Sequence, residues 1–329
     1  MISVKTDEEA TFYEYITSGL KITFGVAVDF TASNGSPRSK TSLHYKNPAT
    51  NHNPYTIALT AVGNIISDYD YDKRFACYGF GAKPSKSEAV SDCFFLNGST
   101  ENPFVDGVSE ILEAYCGAVD RVVLFGPTNL SPIIEHYIKL AEKVVNDPTY
   151  FILLIVTDGE ITDKTNTISS IVKASFLPIS IIIVGVGYGP FTCMFVLFYI
   201  VVDSYFLALE ILNDRNKLLK DFSKREAMRD NVQFIALKDF CKDISAEKIS
   251  KEENAFSNWL FENQSKIANK VLADLPYQIT IFYKFCNNLM PSRIAEIVNE
   301  HITEDCPRRR LTTLRIQGRR ASASPTSAL

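Results

Sequence analysis

No two of the seven cysteines, at positions 77, 93, 116, 193, 241, 286 and 306, lie two to four residues apart. That spacing excludes the paired thiolates of a structural zinc site. An odd, scattered set, with no apolar signal-peptide core in Met1-Ile2-Ser3-Val4-Lys5-Thr6-Asp7-Glu8-Glu9, reads as reduced thiols in the cytoplasm. Histidine is scarce: His44, His52, His136 and His301 show no metal-ligand spacing. Neither a Gly-x-Ser-x-Gly elbow nor a Cys–His signature is present, so catalysis has little support. A basic surplus is missing too. Of the 34 Lys and Arg residues, six arginines fall in 307–329, which carries no acid, leaving 28 basic against 38 acidic groups in the body. A body of that charge does not bind nucleic acid through a basic face.

No uninterrupted run reaches the roughly 20 apolar residues of a membrane-spanning helix. The nearest is Met194–Leu209, which Asp203 breaks and whose flanks are not basic; a buried loop is the better reading. Gly185-Val186-Gly187-Tyr188-Gly189 follows an apolar strand but lacks the helix-opening third glycine of a dinucleotide fingerprint, and reads as a strand-end turn.

What is present is alternation. Strand signals at Phe24–Asp29, Phe75–Phe80, Tyr150–Val156, Ile179–Val186 and Val232–Leu237 interleave with helical spacing at 54–68, 105–119, 133–145 and 163–174. Cys93–Leu96 reads as an edge strand and Val122–Phe125 as extended. The pattern predicts an α/β fold, a doubly wound and mostly parallel sheet with helices on both faces. Residues 251–275 read as one long helical pattern packed back on the domain, 277–300 as a second amphipathic piece, and 307–329 as a disordered basic tail.

Three segments sit where apolar strands run out: Asp29-Phe30-Thr31-Ala32-Ser33, Gly126-Pro127-Thr128-Asn129 and Thr157-Asp158-Gly159. Carboxyl ends of parallel strands open onto the crevice where such folds bind ligands. The segments offer carboxylate and hydroxyl oxygens with no thiolate or imidazole, chemistry for Mg²⁺, Mn²⁺ or Ca²⁺ rather than zinc. Alone, Asp-x-Thr-x-Ser is also an ordinary capped turn.

The segment Ile22-Thr23-Phe24-Gly25-Val26-Ala27-Val28-Asp29-Phe30-Thr31-Ala32-Ser33-Asn34-Gly35 resembles the start of the von Willebrand factor A-like domain of copines. Ser42-Leu43-His44-Tyr45, Gly79-Phe80-Gly81-Ala82, Leu124-Phe125-Gly126-Pro127-Thr128-Asn129, Ile181-Ile182-Ile183-Val184-Gly185-Val186-Gly187 and Arg229-Asp230-Asn231-Val232-Gln233-Phe234 carry the same likeness. It implies a metal-ion-dependent adhesion site with Asp29, Thr31, Ser33, Thr128 and Asp158 at its ligand positions, Mg²⁺ (or Mn²⁺ or Ca²⁺) as the ion, and a protein partner's carboxylate completing the coordination.

On this reading residues 1–21 are a lead-in, 22–250 the copine-like domain, 251–306 a helical extension and 307–329 the tail. The expected function is non-catalytic: a metal-dependent protein-binding adaptor in the cytoplasm. Alternatives are a Ca²⁺-responsive adaptor recruited to anionic phospholipid at the plasma membrane, and a metal-dependent hydrolase. Copines usually place two C2 domains before this module, whereas here the first strand begins near residue 22. Cys193–Leu209 has no counterpart in the resemblance and reads as an insertion from a splice variant or a read-through intron. Arg319-Arg320-Ala321-Ser322 resembles a basophilic kinase site.

Overall fold

The computed structural model describes residues 10–187, 218–236 and 263–304, less scattered positions within those spans. The apolar run 194–209, all of 251–262 and the tail lie outside the described residues.

The chain enters through α1 (Phe12–Thr17) and β1 (Lys21–Asp29). Next come α2 (Pro54–Ser67), β2 (Arg74–Phe80), β3 (Ala82–Lys83), β4 (Phe94–Phe95), β5 (Phe104–Asp106), α3 (Gly107–Arg121), β6 (Val123–Leu124) and α4 (Ser131–Lys143). β7 (Thr149–Thr157), α5 (Lys164–Ala174), β8 (Ile179–Gly185) and β9 (Val232–Ala236) complete the α/β part. The main sheet runs β4-β2-β1-β7-β8-β9, with β5 also paired to β2. The neighbours from β2 to β9 are parallel, while β4 and β5 add antiparallel edges.

β1 and β7 are buried almost throughout because both sheet faces are covered. On one face Phe24, Val26 and Val28 of β1 pack with Leu59, Val62 and Ile66 of α2 and Ile111 and Tyr115 of α3. On the other, Ala27, Leu153 and Ile155 meet Ile133 and Tyr137 of α4 and Ile168 and Ile171 of α5. The doubly wound architecture expected from the alternation is therefore present.

α2 starts where it does because Asn53 and Thr56 form a reciprocal capping box: the Thr56 amide donates to Asn53 Oδ1 at 2.9 Å, and the Asn53 amide to Thr56 Oγ1 at 2.8 Å. Pro54 opens the first turn, where its missing N–H costs nothing.

Gly25 sits in β1 under the Tyr137 phenol, and any Cβ there would collide with the phenol oxygen. Gly25→Ala therefore forces α4 away from the sheet and should cost about 1–3 kcal/mol. The check is a lower urea midpoint at unchanged slope.

Two readings are refined. Residues 277–300 do not form one helix. α6 (Leu275–Ile281) runs into a π-turn at Phe282–Cys286, the chain breaks, and Pro291 opens α7 (Pro291–Glu304). Val122–Phe125 is extended as read, but its β6 pairs with β3 in a separate two-stranded ladder rather than the main sheet, and Phe125 makes a parallel bridge to Thr31.

Of the stretch 251–275, the end is described in the core, and α6 with the turn after it packs there too. Val271, Leu275, Ile279, Phe282 and Tyr283 join the core on the α2 face. Tyr150 Oη and Ser180 Oγ lie 2.7 Å apart, and Ser180 Oγ donates to Gln278 Oε1 at 2.6 Å, tying α6 to β7 and β8.

Candidate metal centre

The chain crosses from β2, on one side of β1, to β7 on the other, so strand order reverses between β1 and β7. Crevices form at the carboxyl ends of strands at such a switch point. β1 ends on Asp29, and the pairing of Val28 with Val156 sets Thr157 beside it, with Asp158 one residue beyond.

Asp29 is fully buried and held from several sides. The Thr157 hydroxyl donates to Oδ2 at 2.5 Å, the Thr31 amide to Oδ1 at 2.8 Å, and Asn34 Nδ2 to Oδ1 at 3.4 Å. Thr31 Oγ1 and Ser33 Oγ are 2.8 Å apart, and the Thr128 hydroxyl donates to Thr31 Oγ1 at 3.3 Å. Four of the five residues expected at the site, Asp29, Thr31, Ser33 and Thr128, thus form one hydrogen-bonded cluster. It rises from a buried carboxylate to an exposed serine. Asp158, half-buried, joins it electrostatically: burial first, then the Asp158 charge, pushes the Asp29 carboxyl above the usual carboxylate range.

The loops are positioned by the backbone. The Ala32 amide donates to the Phe125 carbonyl at 2.7 Å and the Thr162 amide to the Thr128 carbonyl at 2.8 Å. The Asp163 carboxylate accepts from the Leu130 and Ser131 amides, each at 3.0 Å, closing the N-terminus of α4 just after Thr128. Gly81 turns β2 away with φ +73°, and a Cβ there would strike the Thr31 methyl. Gly81→Ala should displace Thr31 and weaken the cluster while leaving the rest of the sheet intact. The readout is a changed Thr31 amide shift by NMR without loss of the cooperative melt.

The donor set fits a hard dication. It is all oxygen, and burial together with the Asp158 charge raises the cost of ionising Asp29, which a cation would relieve. Among the described residues no group of three or more His, Cys, Asp or Glu gathers, so two acids are supplemented by hydroxyls.

Sequence reasoning missed three supports. Thr157 orients Asp29, Asn34 bridges Asp29 to the interior, and Tyr55 donates to Asn34 Oδ1 at 2.6 Å. A threonine ending the apolar run 151–156, directly before Asp158, was the available signal for the first. The other two depend on tertiary placement.

His44 has an interior role. Its ring stacks between Phe30 (centroids 5.0 Å apart) and Tyr55 (4.3 Å), and Nδ1 lies 2.9 Å from the Tyr115 hydroxyl. Burial pushes its pKa down to about 3, so the folded state keeps it neutral where the unfolded chain protonates near 6.5. Its stability contribution is complete above that unfolded value and declines as pH falls below it. The loss reaches about 2 kcal/mol at pH 5. Denaturation at pH 7.5 and 5.0 should show the decline, and His44→Gln should flatten it.

Strand order, two covered faces and an oxygen cluster at the switch point define a doubly wound α/β domain with a hard-donor cleft. A sequence profile described as Copine matches residues 42–291, and the chain belongs to the copine family. Similar relatives are Protein BONZAI 1 of Arabidopsis thaliana, 44% identical over 280 residues (84% of this chain, 42% of that protein), and Protein BONZAI 2 of the same plant, 45% over 232 residues (70% and 37%). The chain spans less than half the length of these relatives.

Solved structures with some likeness include the manganese-loaded Plasmodium vivax TRAP protein (TM-score 0.39, 14% identity, 73% of this chain and 76% of that one). Another is the von Willebrand factor type A from Catenulispora acidiphila (TM-score 0.31, 12%, 50% and 33%). At such scores they add nothing to the strand order above. No helix among the described residues is long and apolar enough to cross a membrane.

Proposed function

We propose that the domain is a non-catalytic, divalent-metal-dependent protein-binding module. Asp29, Thr31, Ser33, Thr128 and Asp158 would hold Mg²⁺, with Mn²⁺ or Ca²⁺ as substitutes. The ion supplies a Lewis-acidic point of attachment for an acidic side chain of the partner.

The observation that carries this reading is the cluster itself: three hydroxyls linked at 2.8 and 3.3 Å beside a buried carboxylate whose ionisation a second carboxylate opposes. Asp29 anchors the centre through Thr31, Asn34 and Thr157. Ser33, exposed at the top, marks where a guest carboxylate approaches. Two carboxylates against one dication leave a nearly neutral socket, which an anionic guest can enter.

The test is capture of binding proteins by the full chain in Mg²⁺ and in EDTA, with identification by mass spectrometry and retesting of each purified partner. The reading expects capture in Mg²⁺ that EDTA and Asp29→Ala both abolish, and that neutralising one partner acid also abolishes. Capture indifferent to EDTA, or Mg²⁺-dependent turnover of a phosphate or acyl ester lost in Asp29→Ala, contradicts it.

A further inference from the structure

A cavity of about 330 Å³ opens beside the loop after β1, between the start of α2 and the C-terminal half of α3. His44, Asn53 and Tyr115 line it and are already bonded to one another: Asn53 Nδ2 donates to the Tyr115 oxygen at 3.0 Å and to the His44 carbonyl at 3.2 Å. The charged groups of its lining are Arg38, Lys46, Lys86 and Arg121 against the single carboxylate of Asp120. None of the five expected metal ligands lines it.

Isolated surface lysines are usually just solvated. This set differs in two ways. Four cations face one small concavity on a chain whose net charge is −4. Arg121 donates to the Leu96 carbonyl at 3.0 Å, and no ion pair among the described residues neutralises Arg38, Lys46 or Lys86. Like charges converging on a concavity repel one another and focus potential inward, which an anion relieves.

The volume falls at the low end of small-ligand pockets, roughly 300–1,000 Å³, too small for a peptide or nucleic-acid strand. Guanidinium forks and ammonium point charges together suit compact oxyanions, and four cations against one acid call for more than one negative charge.

We propose that this cavity binds a small ligand carrying clustered phosphate groups, with Arg38, Lys46, Lys86 and Arg121 as its counter-charges. The site uses none of the metal-cluster residues and needs no divalent ion. Its fate is therefore independent of the function proposed above.

Calorimetric titration of the full chain in EDTA, with pyrophosphate and with inositol hexakisphosphate, tests it. The comparison is between Arg38→Glu/Lys46→Glu at the cavity and Lys139→Glu/Lys143→Glu on α4, a pair of equal charge change on exposed positions elsewhere. Binding that weakens at least about tenfold in the first pair and holds in the second supports the site. Vesicles of phosphatidylcholine with phosphatidylinositol 4,5-bisphosphate form a parallel arm. Binding to these alone, with the same variant pattern, assigns the cavity to a lipid headgroup bearing the same phosphates. No binding in either arm, or equal weakening by both pairs, overturns the proposal.

Discussion

Mg²⁺ or Mn²⁺ at about 100 times its dissociation constant should stabilise the chain by about 2.7 kcal/mol, and Asp29→Ala should abolish that gain. For a domain of this size the gain corresponds to a rise in Tm of roughly 5–10 °C. The expectation rests on Asp29 being the one fully buried carboxylate of the cluster and the hub for Thr31, Asn34 and Thr157. Without the ion, Asp29→Ala has opposing effects. It orphans donors on Thr157 and Thr31, and it removes a carboxyl whose ionisation burial and Asp158 both oppose. The variant should therefore melt cooperatively in EDTA, close to the parent, and differ from it chiefly when the ion is added. Ser33→Ala, at the exposed edge, should retain part of the shift. A full shift in Asp29→Ala would mean the ion binds elsewhere.

Arg229→Met should cost about 3 kcal/mol without touching the cluster. The Arg229 guanidinium is buried and donates from one nitrogen to the carbonyls of Leu177 and Ile179, each at 2.8 Å. It also lies over the rings of Tyr150 (5.6 Å) and Phe282 (5.3 Å), joining β7 and β8 to the C-terminal helices. Methionine keeps the apolar stem but leaves both carbonyls without this donor, at about 1–3 kcal/mol each, and forfeits the cation–π contacts. Relief of a buried charge offsets part of that. Arg229→Lys should recover little, because an ammonium cannot reproduce the planar fork. Guanidinium denaturation gives the answer: a lower midpoint at similar slope, with metal binding retained.

Strands buried on both faces were legible because burial leaves a continuous apolar run; β7, read at 150–156, extends by one residue at each end. What periodicity does not encode is the partner. Val123–Leu124 carries the same extended signal yet pairs with β3 across the carboxyl end of the sheet. The break between α6 and α7 was hidden because amphipathic spacing persists across it, although Pro291 was a visible start signal.

At the site, Asp29, Thr31 and Ser33 were readable from spacing in one loop. Thr128 and Asp158 lie in two further segments read as strand ends offering oxygen, and the copine likeness set all five at ligand positions. Asn34 bonds to Asp29, and Tyr55 to Asn34, through packing that no local pattern carries; Thr157 was signalled only by its place at the end of an apolar run. Asp163 shows the limit clearly. It reads as the start of α5, and it is the N-cap residue, but its carboxylate closes the N-terminus of α4 instead.

The most direct measurement is a crystal of the chain soaked in Mn²⁺ and examined by anomalous scattering. The account predicts one strong peak at the carboxyl ends of β1 and β7, roughly 2.2 Å from oxygens of Ser33 and Thr31 or Thr128, with Asp29 and Asp158 bound directly or through water. An empty cluster at saturating Mn²⁺, or a peak held by other residues, would contradict it.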